Sequence, residues 1–219
     1  MTDHDALRRV TDHDDLVRRV IERAAADLPC ATAAQISEAE TLLGFRIPPL
    51  LARLYRKVGN GGFGPDYHLL PLIGPEETTA VGTYRAEHAS GDWPTGVLPI
   101  LDWGCAMCAA VDCADPDAPV LLFEPNAVTG DDWSRAWFED TGSLAAWLDD
   151  WLNGTSWYEQ DDPQLVPWPQ AAARMPSLAL GHHHDHEDDH AQEGEGGSEH
   201  DDQHEQFQDS HGGPSNGAA

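Results

Sequence analysis

The residues best able to hold a metal ion lie near the end of the chain. Five histidines stand close together among aspartates and glutamates: His182, His183, His184, His186 and His190. Imidazole and carboxylate groups at this density bind Zn²⁺, Ni²⁺ or Cu²⁺ in solution. After Leu180 the only large apolar side chain is Phe207, too little to offset the entropy of ordering the segment. We therefore predict a disordered tail over residues 175–219. Its metal binding is either adventitious or, alternatively, the function of a metal-handling protein.

The cysteines form one short motif, C-x-x-C at Cys105 and Cys108, with Cys113 nearby. A structural zinc site normally needs four ligands at paired spacings, and a redox pair normally begins a helix. The small and apolar residues of Cys105–Val111 instead predict a strand, in which Cys105 and Cys108 point to opposite faces. We expect reduced thiols that serve as small core residues.

Two further patterns bear on nucleotide binding and catalysis. Residues Gly59–Gly64 match G-x-G-x-x-G, but a dinucleotide site needs a strand before the motif and a helix after it, whereas here a helix precedes it and Pro65 follows. The chain has no G-x-S-x-G elbow, and the pairs Asp131-Asp132 and Asp161-Asp162 fall in predicted loops. We expect no catalytic residues and no cofactor; a hydrolase that uses loop carboxylates is an alternative.

The net charge of the chain indicates which kinds of partner it can bind. The formal net charge is −27. Before Gly181 the chain has 12 basic and 28 acidic residues, and the tail adds 11 acidic ones. This charge repels nucleic-acid phosphates and anionic lipids but attracts a basic protein. Two tryptophans beside two aspartates form the candidate patch for such a partner: Asp131, Asp132, Trp133 and Trp137. The first ten residues have no apolar run and no segment resembles a membrane span, so we expect a cytoplasmic protein.

Periodicity predicts an α+β fold. A repeat occupies Thr2–Val10 and Thr11–Val20; the second copy begins a helix capped by Thr11 or Asp12. Further helices are predicted after the Thr32–Gln35 capping box, from Pro48 to Gly59, loosely over Glu76–His88 and over Leu144–Leu152. The predicted strands are His68–Leu72, Val97–Leu101, Cys105–Val111, Val120–Glu124 and Arg135–Glu139. The prediction is a flexible repeat over residues 1–13, a domain over 14–174 with N-terminal helices and a central, twisted, mostly antiparallel sheet flanked by helices, and the tail.

One segment carries a family resemblance. Residues 36–65 read ISEAETLLGFRIPPLLARLYRKVGNGGFGP. They resemble the opening signature of the Smi/Knr-type domains of the SUKH superfamily, in which E-x-x-L-G-x-x-L-P precedes a helix ending in N-G-G. The matching residues are Glu40, Leu43, Gly44, Ile47, Pro48, Tyr55, Asn60, Gly61 and Gly62, and Trp103 and Gly104 resemble part of the family's central strand.

The resemblance implies a non-catalytic α+β domain. Bacterial domains of this kind are similar to immunity proteins that neutralise polymorphic toxins, often nucleases, and a fungal relative is a signalling scaffold. The signature residues are mostly glycine, proline and apolar side chains, so they specify architecture. We expect an immunity-type protein with a cognate toxin or other basic protein as partner; a scaffold or regulatory interaction protein is an alternative.

Overall fold

The structure is a computed structural model that describes residues 3–25, 27–130, 132–156 and 165–176; for residues 3–12 and Ala127 only the backbone is described. The helices and strands are, in chain order, α1 (Asp3–Arg23), α2 (Ala33–Leu43), α3 (Pro49–Lys57), α4 (Ala80–Ser90), β1 (Val97–Gly104), β2 (Met107–Asp112), β3 (Val120–Phe123), β4 (Trp137–Thr141), α5 (Leu144–Asn153), β5 (Val166–Pro167) and α6 (Ala171–Arg174). Two 3-10 helices occupy Pro125–Ala127 and Trp133–Ala136.

The described strands form one antiparallel sheet in the order β1-β2-β3-β4-β5. Five consecutive residues of β1, Val97–Leu101, are buried. Because successive side chains of a strand point to opposite faces, both faces of the sheet are covered here. Helix α4 packs on β1, while α5 packs on β4 and contacts α1 and α3. The predicted α+β fold with helices around an antiparallel sheet is confirmed.

Local side-chain chemistry accounts for the helix ends. The Thr32 hydroxyl accepts a hydrogen bond from the Gln35 N–H, and the Gln35 side chain accepts one from the Thr32 N–H, which is the predicted capping box. Gly44 ends α2 with φ +78°, in the left-handed region that favours glycine. Ser143 caps α5 through a bond to its hydroxyl from the Ala146 N–H.

Helix α1 differs from the prediction. The helix begins at Asp3 and runs through both copies of the repeat, so Thr11 and Asp12 lie inside it and do not cap it. The apolar positions Leu16, Val17 and Val20 of the second copy are buried, as the periodicity predicts. A residue that suits the N-cap position begins a helix only where the backbone before it is not helical. Here the backbone before Thr11 is already helical.

The predicted strand His68–Leu72 is wrong. Tyr67 and His68 adopt positive φ angles of 74° and 61°, which no strand accommodates. One backbone hydrogen bond, from the Leu70 N–H to the Ile100 carbonyl, joins this segment to β1 on the side away from β2. The remaining strands occur close to their predicted positions. However, β2 starts at Met107 because Cys105 and Ala106 form the hairpin turn, and β4 starts at Trp137.

Nowhere in the described part of the chain is there a helix long and apolar enough to cross a membrane. The predicted tail, 175–219, lies outside the described residues except for Met175 and Pro176. The flexibility predicted for residues 1–13 stays a prediction, as do the domain boundaries.

Replacing Gly61 by alanine tests how tightly the loop after α3 is packed. Gly61 has φ +90°, and a Cβ there would lie 2.6 Å from the Pro71 nitrogen and 2.7 Å from the Leu70 carbonyl carbon. We expect Gly61→Ala to lower the free energy of unfolding by about 2–5 kcal/mol, from left-handed strain plus a backbone clash. The measurement is urea denaturation followed by tryptophan fluorescence.

Gly44→Ala is the matched control. Gly44 has φ +78°, but a Cβ added there would meet no atom within 4 Å, so only the strain of about 1–2 kcal/mol should appear. Equal losses in the two variants would contradict the close packing of Gly61 on the Leu70–Pro71 backbone.

Candidate partner-binding surfaces

Acidic residues are concentrated in the half of the domain that contains the sheet. Residues 1–85 carry 10 basic and 12 acidic side chains, whereas residues 86–180 carry 2 basic and 16 acidic ones. All five described strands, together with α5 and α6, belong to this second segment, which we call the sheet half. The excess negative charge before Gly181 therefore lies mainly in the sheet half.

The predicted contact patch is only partly accessible. Asp132 is exposed and Trp133 is half-buried at the start of a 3-10 helix, but Trp137 is 0% exposed. Its ring packs 4.7 Å from that of Trp93 and 5.0 Å from that of Phe123, between centroids. Trp137 is a core residue and offers no contact surface, because the inward-facing side of β4 is covered. Asp131 lies outside the described residues, and partner contact by Asp132 and Trp133 stays a prediction.

A groove of about 420 Å³ crosses the sheet half near β5, and we call it the sheet groove. Its acidic and apolar lining includes Asp112, Asp115, Glu139, Asp140, Val166 and Trp168. Val166, 54% exposed, and Leu165, 37% exposed, leave apolar surface beside it. An apolar area rimmed by carboxylates is typical of a protein-binding surface.

Most carboxylates of the sheet groove already have partners within the protein. Asp112 is buried and accepts two hydrogen bonds from the Arg174 guanidinium, at 3.2 and 3.0 Å. Asp140 accepts a bond from the Trp147 indole N–H at 2.9 Å, and Asp115 accepts one from the Asp117 N–H at 2.9 Å. These groups hold the α6 segment, α5 and a turn in place, so the groove is largely structural.

A second cavity, of about 220 Å³, lies between α4 and the β1–β2 hairpin; we call it the hairpin cleft. Residues that line it include Thr83, Glu87, Trp93, Asp102, Cys108 and Phe123. The sheet register pairs Cys108 with both Asp102 and Phe123, which places the three on one face. Helix α4 adds Glu87 and Thr83 from above this face. Two carboxylates from separate elements thus share a cleft with aromatic walls.

The electrostatic environment of Cys108 shows that both carboxylates act on the hairpin cleft. Burial raises the pKa of the Cys108 thiol, and the negative charges of Asp102 and Glu87 raise it further. The thiol therefore stays protonated at neutral pH and is a poor nucleophile. Burial likewise raises the pKa of the Cys113 thiol, with a smaller contribution from Asp112.

The C-x-x-C motif is split between two environments. Cys105 is exposed in the hairpin turn, with φ 52°, whereas Cys108 is partly buried in β2. The predicted core position holds for Cys108 and is wrong for Cys105, since the strand begins two residues later. Within the described ranges, no group of three or more His, Cys, Asp or Glu side chains could hold a metal ion. The histidines His182, His183, His184, His186 and His190 lie outside those ranges.

The hairpin cleft was not predicted from the sequence. Glu87 and Asp102 are 15 positions apart on a helix and a strand, and Phe123 comes from a third element. No local spacing signals such a site, because the sheet register brings Asp102 and Phe123 together and the packing of α4 on β1 adds Glu87. A weak signal existed in Asp102, an exposed acid directly after five buried residues of β1.

The signature residues hold the helices together and join them to the sheet. The Glu40 carboxylate accepts a hydrogen bond from the Ile47 N–H at 3.1 Å, which closes the turn between α2 and α3. Leu43 and Pro48 are buried beside it. Gly44 supplies the left-handed end of α2. This part of the signature is structural, as predicted from its residue types.

The second part of the signature joins α3 to the loop along β1. The Tyr55 hydroxyl donates to the Leu70 carbonyl at 3.1 Å. The Asn60 amide accepts a bond from the Leu72 N–H at 3.0 Å and donates to the Ile73 carbonyl at 2.8 Å. Gly61 and Gly62 supply positive φ angles here, and Gly104 does so before the hairpin turn. Trp103 is half-buried, with its ring centroid 6.3 Å from that of Tyr67.

Thiol labelling tests the two cysteine environments. In the native protein, at mildly alkaline pH, we expect Cys30 and Cys105 to react rapidly with a disulfide reagent, since both are exposed. Cys108 and Cys113 should react only after unfolding, because burial keeps their thiols protonated. Cys105→Ser should remove one fast equivalent. Three or more fast thiols in the wild-type protein would contradict the burial of Cys108 and Cys113.

Comparison with known proteins places this fold in a family. The model of the SMI1 / KNR4 family (SUKH-1) matches residues 30–154, which is more than half of the chain and includes every signature residue described above. A search of curated proteins returned no match. The match begins just before the Thr32 cap and ends at Gly154, directly after α5, so it covers α2 to α5 and four of the five described strands. The chain belongs to the SMI1 / KNR4 family (SUKH-1).

Proposed function

We propose that this protein is an immunity-type binding protein that neutralises a basic protein toxin by covering part of its surface. The observation that carries the proposal is the uneven charge of a family domain. Residues 86–180, which form the sheet half, hold 16 acidic and 2 basic side chains. Family membership supports a non-catalytic binding role, and the charge supports a basic partner, such as a nuclease whose own surface must attract phosphates.

The chemistry of the described cavities supports binding over catalysis. In the sheet groove, Asp112 and Asp140 are engaged by Arg174 and Trp147 and serve the fold. In the hairpin cleft the nucleophilic atom is the Cys108 sulfur, whose protonated state opposes attack on a substrate. A hydrolase would need an activated nucleophile beside an acid–base pair; the hairpin cleft holds two carboxylates, but the thiol that lines it is protonated, and this combination favours binding.

In neutralisation by binding, charge and apolar contact have different effects. The negative field of the sheet half accelerates encounter with a positively charged protein and orients it. Aromatic and aliphatic side chains near the acids, such as Trp133, Tyr67 and Val166, then supply contact area that salt does not screen. The association rate should therefore depend on ionic strength far more than the dissociation rate does.

The toxin interaction is tested by capture on the immobilised full-length chain from the native host, followed by elution over a salt series. We expect a basic protein that is released as salt rises from about 50 to 500 mM, because screening shortens the range of surface charges. Expressed alone in a laboratory strain, that protein should arrest growth, and co-expression with this chain should restore it. Growth arrest that persists on co-expression would contradict the proposal, as would capture indifferent to salt.

Removal of the tail separates the binding role from metal handling. A chain ending at Leu180 keeps the whole of the compact unit Met1–Leu180. We expect it to retain partner affinity within about threefold and to restore growth as the full chain does, since the partner surface lies on the domain. Loss of function together with loss of Zn²⁺ or Ni²⁺ binding would instead favour the metal-handling alternative.

A further inference from the structure

Four residues with a strained backbone surround one end of the sheet. Tyr67 and His68 have φ angles of 74° and 61°, and Cys105 and Ala106 have 52° and 63°. Residues with a Cβ rarely adopt positive φ angles, and such backbone strain tends to cluster at functional sites. The hairpin turn is held in place by Asn126, whose amide N–H donates to the Cys105 carbonyl at 3.0 Å. The structure therefore maintains an unfavourable but defined shape at this end.

Exposed aromatic surface flanks the same end. Tyr67 is 69% exposed, and its ring lies edge-on to that of Trp103, with 6.3 Å between centroids. Tyrosine and tryptophan are the side chains that most often dominate the energy of protein interfaces. Trp103 directly follows Asp102, and Tyr67 lies three residues before Leu70, which also lines the hairpin cleft. Neither ring lines the cleft itself, but both belong to segments that contribute a lining residue to it.

The chemistry of the hairpin cleft selects a cation with an apolar stem. Glu87 and Asp102 contribute two negative charges, and none of the described residues that line the cleft is basic. Trp93 and Phe123 pack against each other, with 5.3 Å between their ring centroids, and form one aromatic wall to which the half-buried Phe123 contributes the accessible part. A guanidinium group fits both features, since it is planar, stacks on aromatic faces and can donate to two carboxylates at once.

The protein already contains this arrangement at another place in the sheet half. There the Arg174 guanidinium donates two hydrogen bonds to Asp112 and lies over the Trp168 ring, 5.7 Å from its centroid. The hairpin cleft presents carboxylates and aromatic rings without a cation among its described lining residues. Its volume of about 220 Å³ is below the roughly 300–1,000 Å³ of sites for drug-sized ligands and suits one long side chain.

We propose that the hairpin cleft is a receptor for a single arginine side chain that projects from the partner protein. The arginine stem lies against the aromatic and apolar lining of the cleft beside Phe123, its guanidinium pairs with Glu87 and Asp102, and Tyr67 packs against the surrounding partner surface. The identity of the partner as a toxin rests on the proposed function; the preference of the cleft for arginine does not.

The test uses the full-length, ¹⁵N-labelled chain and three tripeptides, acetyl-Gly-Arg-Gly-amide and its glutamine and lysine counterparts. Addition of the arginine peptide should shift the amide signals of Thr83, Asp102 and Cys108 and the indole N–H of Trp93, with saturation in the millimolar range. The glutamine peptide should bind at least about tenfold more weakly, because it lacks the charge-assisted bonds. A lysine tripeptide that binds as tightly as the arginine one would overturn the guanidinium preference.

Two double variants with the same change in net charge locate the site. Glu87→Gln with Asp102→Asn should weaken the arginine peptide by about tenfold or more. Glu22→Gln with Glu38→Gln removes two exposed carboxylates from residues 1–85, away from the cleft, and should leave binding within about twofold. Thermal unfolding verifies that all variants fold. Equal losses in the two variants, or shifts spread over the sheet groove, would overturn the proposal.

The outcome is distinguishable from that of the toxin experiment. The tripeptides require no toxin, so an arginine-selective cleft in a protein that captures no toxin would refute the proposed function alone. Capture and growth rescue that persist in Glu87→Gln/Asp102→Asn, without peptide selectivity in the wild type, would refute the arginine receptor alone.

Discussion

The structure depends on one junction, at which α3 is joined to the loop that runs along β1. The side chain of Asn60 satisfies the backbone of Leu72 and Ile73, and Gly61 lies so close to the Leu70–Pro71 backbone that no Cβ fits. A partly buried amide that satisfies both a donor and an acceptor is costly to replace, since apolar substitutes leave both groups unpaired. From this junction the Leu70 N–H reaches the edge of β1. The same loop therefore contacts α3, the edge of β1 and, through Leu70, the lining of the hairpin cleft.

The acidic residues of this chain serve two different purposes. Some are structural: Glu40 closes the turn between α2 and α3, and Asp112 receives Arg174 in a buried pair. Others, such as Glu87 and Asp102, line a cleft whose described lining includes no basic side chain. Net charge cannot separate these two groups, and Asp102 belongs to both, because its carboxylate also accepts a hydrogen bond from the Gly104 N–H at 2.7 Å. We accordingly propose that a basic partner binds to the sheet half and that the total charge attracts it at long range.

Features encoded by neighbouring residues could be predicted, and features that need distant contacts could not. The Thr32–Gln35 capping box and the Gly44 terminus follow from short-range chemistry and are present as expected. The segment His68–Leu72 has apolar residues typical of a strand, but the junction at Asn60 and the turn at Tyr67 override that preference. The interior position of Trp137 depends on sheet register, and the shared cleft of Glu87 and Asp102 depends on the packing of α4 on β1. Proximity in the sequence therefore placed the buried Trp137 in the predicted contact patch, where it cannot contact a partner.

The central claim is that the partner meets the sheet half at the end that holds the hairpin cleft. Hydrogen–deuterium exchange of the full-length chain, alone and bound to the basic protein it captures, tests this most directly. We predict slower exchange in the complex for the turn at Cys105–Ala106, for the segment around Tyr67 and for the last turns of α4. Protection confined to α1, α2 and α3, with the hairpin end unchanged, would contradict it.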